Sequence, residues 1–222
     1  FGTKKGGERA TRDDLTYATS NKQLNFLEVI YNALNRKGMA RAAVVVPDNV
    51  LFADGAGEQI RCDLMNKCNL HTILRLPSGI FYAPGVQTNV LFFDRGTTNQ
   101  GNTRDVWIYD MRHKMRTFGK RSPLNEKDFA EFEKLYCPDN RTERKETYDA
   151  ETNPEGRWRK FTREDIEARP NTSLDISWIT DEEEADTRSL SEILTAMQEK
   201  SEEIAKAVAA LSQELAEVDQ DD

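Results

Sequence analysis

The sequence lacks any long run of apolar residues, and its first 20 residues contain no apolar core. A membrane-spanning helix needs about 20 consecutive apolar residues, and a secretory signal needs an apolar core near its start. Neither kind of segment is predicted, so no membrane contact is expected. The composition, with 37% hydrophobic and 32% charged residues, is typical of a globular protein.

Cysteine and histidine are scarce, with three cysteines and two histidines in 222 residues. An odd number of cysteines leaves one unpaired under any disulfide pattern, which favours reduced thiols and a cytoplasmic location. Cys62, Cys68 and His71 lie close together in sequence, but the spacing of the two cysteines fits no common zinc site. We therefore expect no metal, and we interpret the cysteines as buried thiols on a core helix.

Two catalytic signatures are also missing. The sequence has no Gly-rich phosphate loop, and neither histidine lies near a recognisable Ser or Cys nucleophile motif. The first absence argues against nucleotide hydrolysis, and the second leaves hydrolysis by a catalytic triad without support.

The net charge of −8 is unevenly distributed. Acidic residues are concentrated after residue 180, so residues 1–180 are close to neutral. A face that contacts duplex DNA is compatible with this part, whereas phosphate would repel the acidic part. The sequence thus predicts a body, residues 1–180, and a tail, residues 181–222.

Three strand-like apolar runs organise the body, at residues 42–46, 71–76 and 89–93. The first and third are nearly continuous, which is typical of strands covered on both faces, and the second is shorter and more mixed. Apolar residues recur at helical spacing between residues 57 and 69. This order predicts an α/β fold with a helix-covered, mostly parallel sheet.

These runs carry a family resemblance. Residues 79–93 read GIFYAPGVQTNVLFF, and they are preceded by PDNVLF at residues 47–52. With FGKR at 118–121 and LDISW at 174–178, the sequence resembles the modification subunit of type I restriction-modification systems. Those subunits are DNA adenine-N6 methyltransferases that use S-adenosylmethionine. The resemblance covers nearly the whole chain, and it implies the C-terminal half of a Rossmann-like methyltransferase sheet plus a C-terminal coiled-coil helix.

The resemblance assigns a catalytic role to the first residue. The family motif is Asn or Asp, then Pro-Pro, then Phe or Tyr, followed by Gly, and this chain opens on Phe1-Gly2. We expect a fragment that begins at the motif's aromatic residue, with Phe1 stacking on an adenine turned out of the duplex. The alternative for Phe1 is a frayed terminal residue. Because the Asn-Pro-Pro and the Gly-rich cofactor motif are absent, the fragment alone is predicted to be inactive.

The resemblance and the chain order also predict ligand contacts. Asn21, Gln23 and Phe26 lie at the start of an amphipathic helix that in the family lies near the cofactor, so they are predicted to contact S-adenosylmethionine; capping and packing are the alternative. Ligands collect outside the carboxyl ends of strands in open α/β sheets. Pro47 and Asp48 are therefore predicted to border the target-base pocket. The resemblance implies a Phe of the next loop beside the target base, which adds Phe81 to the predicted pocket, together with Thr88 and Asn89, which orient that loop. A strand-ending turn and a hairpin packed on its own sheet are the structural alternatives.

The densest basic cluster of the chain follows the strand-like residues 106–110. Contact with DNA phosphates is the functional interpretation, and a solvated basic loop is the structural one. The residues predicted to contact phosphate are Arg112, Lys114, Arg116, Lys120 and Arg121.

The tail has apolar residues at alternating steps of four and three, interrupted only by Ser201. This is an a/d heptad seam, too narrow to cover a globular body, so it predicts packing against a partner helix. In the resembled family such helices dock on the DNA-specificity subunit; folding back or self-association is the alternative. The predicted docking residues are Leu190, Leu194, Met197, Ile204, Val208, Leu211 and Leu215.

Two classes of function compete for the chain. The first is part of a site-specific DNA adenine-N6 methyltransferase in a complex with duplex DNA, a specificity subunit and an ATP-dependent restriction subunit. The second is a non-catalytic scaffold that docks partners and binds DNA through its tail and basic loop. A third hypothesis, outside these two classes, is an unrelated nucleotide-binding sheet with a dimerisation helix.

Overall fold

The computed structural model describes residues 15–37, 39–81 and 85–179, and five isolated positions at 194, 195, 198, 201 and 204. The chain divides into two compact units, Phe1–Asp181 and Glu182–Asp222. The predicted catalytic Phe1 lies outside the described residues. So do five of the predicted docking residues: Leu190, Met197, Val208, Leu211 and Leu215.

Five strands form one mixed sheet in the spatial order β1-β3-β2-β4-β5. The strands are β1 Arg41–Pro47, β2 Cys68–Arg75, β3 Thr88–Arg95, β4 Asp105–Asp110 and β5 Trp158–Thr162. Strand β3 is antiparallel to both β1 and β2, β4 is parallel to β2, and β5 is antiparallel to β4. The α/β class is confirmed, but the expectation of a mostly parallel sheet is wrong, because only one of the four strand pairings in the described part of the chain is parallel.

The connection between β2 and β3 explains the antiparallel pairing. Residues 76–87 contain glycines and prolines, and no helix is assigned to the residues described there. Parallel neighbours need a long crossover, usually a helix, whereas antiparallel neighbours can be joined directly. Strand β3 therefore turns back beside β2 and lies between β2 and β1, which run in the same direction as each other.

Four of the helices cover the first face of the sheet. They are α1 Lys22–Ala33, α2 Asn49–Phe52, α3 Ala56–Lys67 and α5 Arg163–Glu167. Their apolar residues pack with alternate residues of the strands, such as Ile73 of β2 and Leu91 of β3. The helical spacing predicted for residues 57–69 is confirmed for α3, although the last two of those residues already belong to β2.

The second face is covered by α4, Ala130–Tyr136, and by apolar residues of the segment before it, such as Met115 and Leu124. Here the neighbouring strand residues take part, including Leu74 of β2 and Tyr109 of β4, which pack with Phe132 and the fully buried Trp158. The chain thus buries two apolar layers. Among the described strands, β5 lies at an edge of the sheet, and its tryptophan is turned inward.

The burial of β1 and β2 differs from the sequence expectation. Strand β1 was expected to be covered on both faces, but Val45 is 57% exposed. Strand β2, which has the more mixed sequence, is buried over almost its whole length. The reason is position: β2 lies at the centre of the sheet, whereas β1 pairs only with β3 among the described residues.

The cysteines carry no cross-link within the described part of the chain. All three are free, and Cys68 is fully buried at the first position of β2, not on the helix that was predicted for it. Burial raises the pKa of its thiol to about 11. The described residues contain no group of three His, Cys, Asp or Glu that could hold a metal ion. None of the described helices has both the length and the apolar content to cross a membrane.

Gly79 allows the loop between β2 and β3 to pack against the basic loop. Its φ is +81°, a conformation that side chains disfavour, and a Cβ atom there would lie 2.4 Å from the backbone oxygen of Phe118. Phe118 is itself buried. Two stretches that carried the family resemblance are therefore in direct contact.

We predict that Gly79→Ala lowers the free energy of unfolding by about 1–3 kcal/mol, because the alanine is strained and meets a backbone atom. Gly119→Ala is the matched control, since a Cβ there meets nothing within 4 Å. It should change stability by less than about 0.5 kcal/mol. Urea denaturation of both variants is the measurement, and equal effects would contradict this explanation of Gly79.

Candidate functional site

Arg112 connects four strands at one end of the sheet, where β1, β2 and β4 end and β3 begins. It follows β4, and its guanidinium donates to the Asp48 carboxylate, which follows β1, at 2.9 Å. It also donates to the Asn89 side chain at 3.1 Å, to the Thr88 carbonyl oxygen at 3.1 Å and to the Leu76 carbonyl oxygen at 3.2 Å. These acceptors lie at the start of β3 and just after β2. The side chain of Arg112 is only 6% exposed. This buried contact therefore fixes the positions of the strand ends.

Asp48 and Asn89 complete this ion-pair network. The Asn89 amide donates to Asp48 Oδ1 at 2.7 Å, and Asn89 is fully buried. Burial alone would raise the pKa of Asp48, but the hydrogen bonds from Arg112 and Asn89 outweigh it, and the pKa is lowered. The structure brings these two predicted pocket residues together, and both engage Arg112.

A second buried arginine, Arg75, holds the end of β2. It donates to Asp175 Oδ1 at 2.9 Å, and it lies 3.9 Å from the fully buried carboxylate of Asp110 at the end of β4. Asp110 also pairs with His113 at 3.1 Å. Sequence reasoning missed these residues. The available signal was a charged residue at the end of each buried strand, which needs a partner of opposite charge.

Two apolar cavities border β1 beside this network. The helix-side cavity, of about 290 Å³, lies between α1 and β1. It is lined by Gln23, Phe26, Leu27, Ile30, Val44, Val45, Val46 and Pro47. The loop-side cavity, of about 330 Å³, lies between β1 and the β2–β3 loop. It is lined by Val45, Val46, Pro47, Phe81, Val86 and Thr88.

Leaving aside Phe1, which lies outside the described residues, five of the eight residues predicted to contact cofactor or base line the two cavities. Gln23 and Phe26 line the helix-side cavity, Phe81 and Thr88 line the loop-side cavity, and Pro47 lines both. Phe26 is 48% and Phe81 is 44% exposed, so both rings offer open apolar surface. Flat apolar walls at the carboxyl end of a strand suit a planar heterocycle.

The remaining predicted contacts, Asn21, Asp48 and Asn89, line neither cavity. Asn21 is the N-cap of α1, where its side chain accepts hydrogen bonds from the backbone N–H groups of Gln23 and Leu24, at 3.0 and 3.3 Å. This is the structural alternative considered for Asn21.

The hydroxyl of Thr88 is buried and has no hydrogen-bond partner among the described residues. Thr88 carries the polar side chain among the residues that line the loop-side cavity.

The predicted phosphate contacts differ in how far the protein already engages them. Arg112 is internal, Lys114 pairs with Glu155, and Arg116 pairs with Asp128 at 2.8 Å while it stacks on Phe118. Lys120 and Arg121 are exposed and make no ion pair within the described part of the chain. These two are the members of the cluster best placed to meet a phosphate.

Two seam positions of the tail are described. Leu194 and Ile204 are helical, and they are 56% and 65% exposed. Large apolar side chains on a helix are normally covered in a folded assembly. The seam is thus uncovered at both of these positions, which is what a docking helix requires.

Comparisons with known proteins point in one direction. Residues 3–186 match the sequence profile of the family described as N-6 DNA Methylase. The chain is 44% identical, over 244 aligned positions, to the type I restriction enzyme EcoKI methylase subunit of Escherichia coli K12. That alignment covers 97% of this chain and 46% of the relative. The StySJI methylase subunit of Salmonella typhimurium is 47% identical over 211 positions, which cover 84% of this chain and 39% of the relative.

Solved structures agree with the sequence relatives. The crystal structure of the EcoKI M protein superposes with a TM-score of 0.66 at 46% identity, and it covers 75% of this chain and 39% of that chain. A structure titled as the basis of complex assembly and conformational transition of the type I R-M system superposes with a TM-score of 0.64 at 27% identity, covering 94% and 43%. The chain therefore spans less than half the length of these relatives.

We predict that Arg112→Ala lowers the free energy of unfolding by about 3–5 kcal/mol, because it leaves the carboxylate of Asp48 without its cation. Arg116→Ala removes a more exposed Arg–Asp pair and serves as the control. It should cost less than about 1 kcal/mol. Chemical denaturation measures both changes. Similar small effects for the two variants would show that the contacts of Arg112 do not stabilise the strand ends.

Proposed function

The chain belongs to the N-6 DNA methylase family, and from that premise we propose that it supplies part of a type I modification subunit. The parent protein transfers a methyl group from S-adenosylmethionine to N6 of an adenine that has been flipped out of duplex DNA. The observation that carries this proposal is the pair of adjoining apolar cavities at the carboxyl end of β1. A methyl donor and a methyl acceptor need neighbouring sites of this kind.

The loop-side cavity is the proposed wall of the target-base pocket. The exposed ring of Phe81 provides a surface on which a flipped base can stack. The unpartnered hydroxyl of Thr88 provides one hydrogen-bonding group toward that base. Asp48 and Asn89 position the loop through Arg112, so we assign them a positioning role.

The helix-side cavity fits part of the proposed cofactor. Its lining is apolar apart from Gln23, and its volume of about 290 Å³ suits a planar ring system beside Phe26. None of its lining residues carries a charge that could bind the amino acid part of S-adenosylmethionine. We therefore propose that Gln23 and Phe26 contact the adenine ring and that residues of the longer protein hold the remainder.

The open edge of β1 supports the assignment to a longer protein. Among the described residues, β1 has one sheet neighbour, and Val45 is largely exposed beside it. An unpaired apolar edge strand is a site for further strand pairing. The family relatives are about twice as long, so the longer protein can supply the pairing strand and the missing walls. On its own, the 222-residue chain is proposed to be inactive.

We also propose how this part meets its partners. Lys120 and Arg121 contact the DNA backbone near the base pocket, where their charges are not already paired. The tail docks on a helix of the specificity subunit, which selects the DNA sequence, while a separate restriction subunit cleaves. The exposure of Leu194 and Ile204 supports this docking role.

We predict that Phe81→Ala lowers kcat/KM for methyl transfer about 10- to 100-fold, because stacking of a base on an aromatic ring contributes about 1–3 kcal/mol. The assay measures transfer from labelled S-adenosylmethionine to adenine-containing duplex, by the full-length protein with its specificity subunit. Phe52→Ala is the matched control, since Phe52 is 46% exposed and lines neither cavity. Equal loss in both variants would count against a base pocket at Phe81.

The docking role of the tail gives a separate prediction. Leu194→Glu and Ile204→Glu together should abolish co-purification of the specificity subunit, because each places a charge on the apolar seam. Gln198→Glu adds a charge at an exposed helical position outside the seam and should leave co-purification unchanged. If the complex survives the double substitution, the scaffold and methylase proposals both need another docking surface.

A further inference from the structure

A second cleft lies at the opposite end of the sheet from the two apolar cavities. It has a volume of about 500 Å³ and lies among the starts of β2 and β4, the end of β5 and the turn at residues 141–144. It is lined by Asn69, His71, Asn102, Arg104, Asp105, Trp107, Arg141, Thr142, Arg144 and Lys160. A volume of this size falls within the range of small-molecule sites. Neither the family resemblance nor the comparisons assign any role to it.

Positive charge exceeds negative charge in this cleft. Four of the lining residues are arginine or lysine, whereas Asp105 is the one carboxylate among them. Arg141 pairs with Asp94, which adds a second carboxylate nearby. Burial is the largest influence on His71 and lowers its pKa, so the imidazole is neutral at pH 7 and does not add to the balance. The carboxylate of Glu146 accepts a hydrogen bond from the backbone N–H of Lys160 at 2.8 Å and is a third negative charge nearby. About one positive charge is left over.

Two of the four cations have no partner of their own. Within the described ranges, the side chains of Arg104 and Lys160 make no hydrogen bond or ion pair, and both are exposed. The Lys160 ammonium lies 6.0 Å from the centre of the Trp107 ring. These two side chains can therefore turn toward a ligand without breaking a contact that holds the fold.

The third cation, Arg144, is buried without a carboxylate in contact. It is 7% exposed, and it donates to the carbonyl oxygen of Tyr136 at 2.7 Å and to the hydroxyl of Thr72 at 3.1 Å. Its Nη2 atom has no partner among the described residues. Burial lowers the pKa of the guanidinium to about 10, which still leaves it charged at pH 7. Buried charges are normally paired, so an anion in the cleft would compensate this one.

We propose that this cleft binds a phosphate ester. Arg104 and Lys160 contact the phosphate, and the buried positive charge of Arg144 adds to the attraction. A phosphate ester carries negative charge at neutral pH, so the positive excess of the cleft attracts it. The same chemistry is offered by a free nucleotide and by the backbone of a nucleic acid. The site lies at the other end of the strands from the apolar cavities, so it does not depend on the proposed methyl transfer.

The test is calorimetric titration of the full-length protein, saturated with S-adenosylmethionine and at fixed ionic strength, with adenosine 5′-monophosphate, with adenosine and with a short DNA duplex. The proposal expects the monophosphate to bind and adenosine not to bind. Arg104→Gln and Lys160→Gln should each weaken the affinity about tenfold, the usual effect of losing one charge-assisted contact. Lys127→Gln removes an exposed lysine elsewhere and should have no effect.

The outcomes separate the two sources of phosphate. If the duplex binds and the monophosphate does not, with the same loss in Arg104→Gln and Lys160→Gln, the ligand is a backbone phosphate. Lys120→Gln should leave that cleft-dependent share of duplex binding unchanged, because Lys120 lies at the other end of the sheet. The proposal is overturned if adenosine binds as well as its monophosphate, if nothing binds, or if the two cleft substitutions leave every affinity unchanged.

Discussion

The ion pair between Arg112 and Asp48 determines the shape of the candidate site. It lies where β1, β2 and β4 end and where β3 begins, and its donors and acceptors include groups from all four strands. A largely buried ion pair is stable only when its hydrogen bonds are satisfied. Here the side chain of Asn89 donates a further hydrogen bond to Asp48. Because this contact fixes the strand ends, the loops that follow them start from defined positions. Phe81 and Thr88 are therefore presented beside β1.

The antiparallel insertion of β3 has a second consequence. It places β2 at the centre of the sheet and leaves β1 at an edge with exposed apolar surface. The edge, the helix-side cavity and the loop-side cavity all meet at residues 45–47. The part of the molecule proposed to receive cofactor and base is thus also the part that is least complete within this chain. This agrees with a chain that spans less than half the length of its relatives.

Sequence reasoning succeeded where local pattern decides the outcome. The strands and helices of the body were predicted close to their observed positions. The choice of the turns after β1 and before β3 as the border of a site stays a prediction. It failed where the answer depends on strands distant in sequence. The position of β3 between β1 and β2 is not visible in a periodicity, although the helix-free β2–β3 loop was a usable clue. The internal role of Arg112 was missed because its partner Asp48 lies 64 residues away. The cationic cleft was missed for the same reason, since its cations come from three separate segments.

The central claim is that the two cavities beside β1 form walls of the cofactor and base sites. Hydrogen exchange of the full-length protein, followed with and without S-adenosylmethionine and target duplex, tests it most directly. The account predicts that cofactor slows exchange in residues 23–30 and 44–47, and that duplex adds protection in residues 85–88. Cofactor and duplex binding without any change in these segments, while segments elsewhere become protected, would contradict the account.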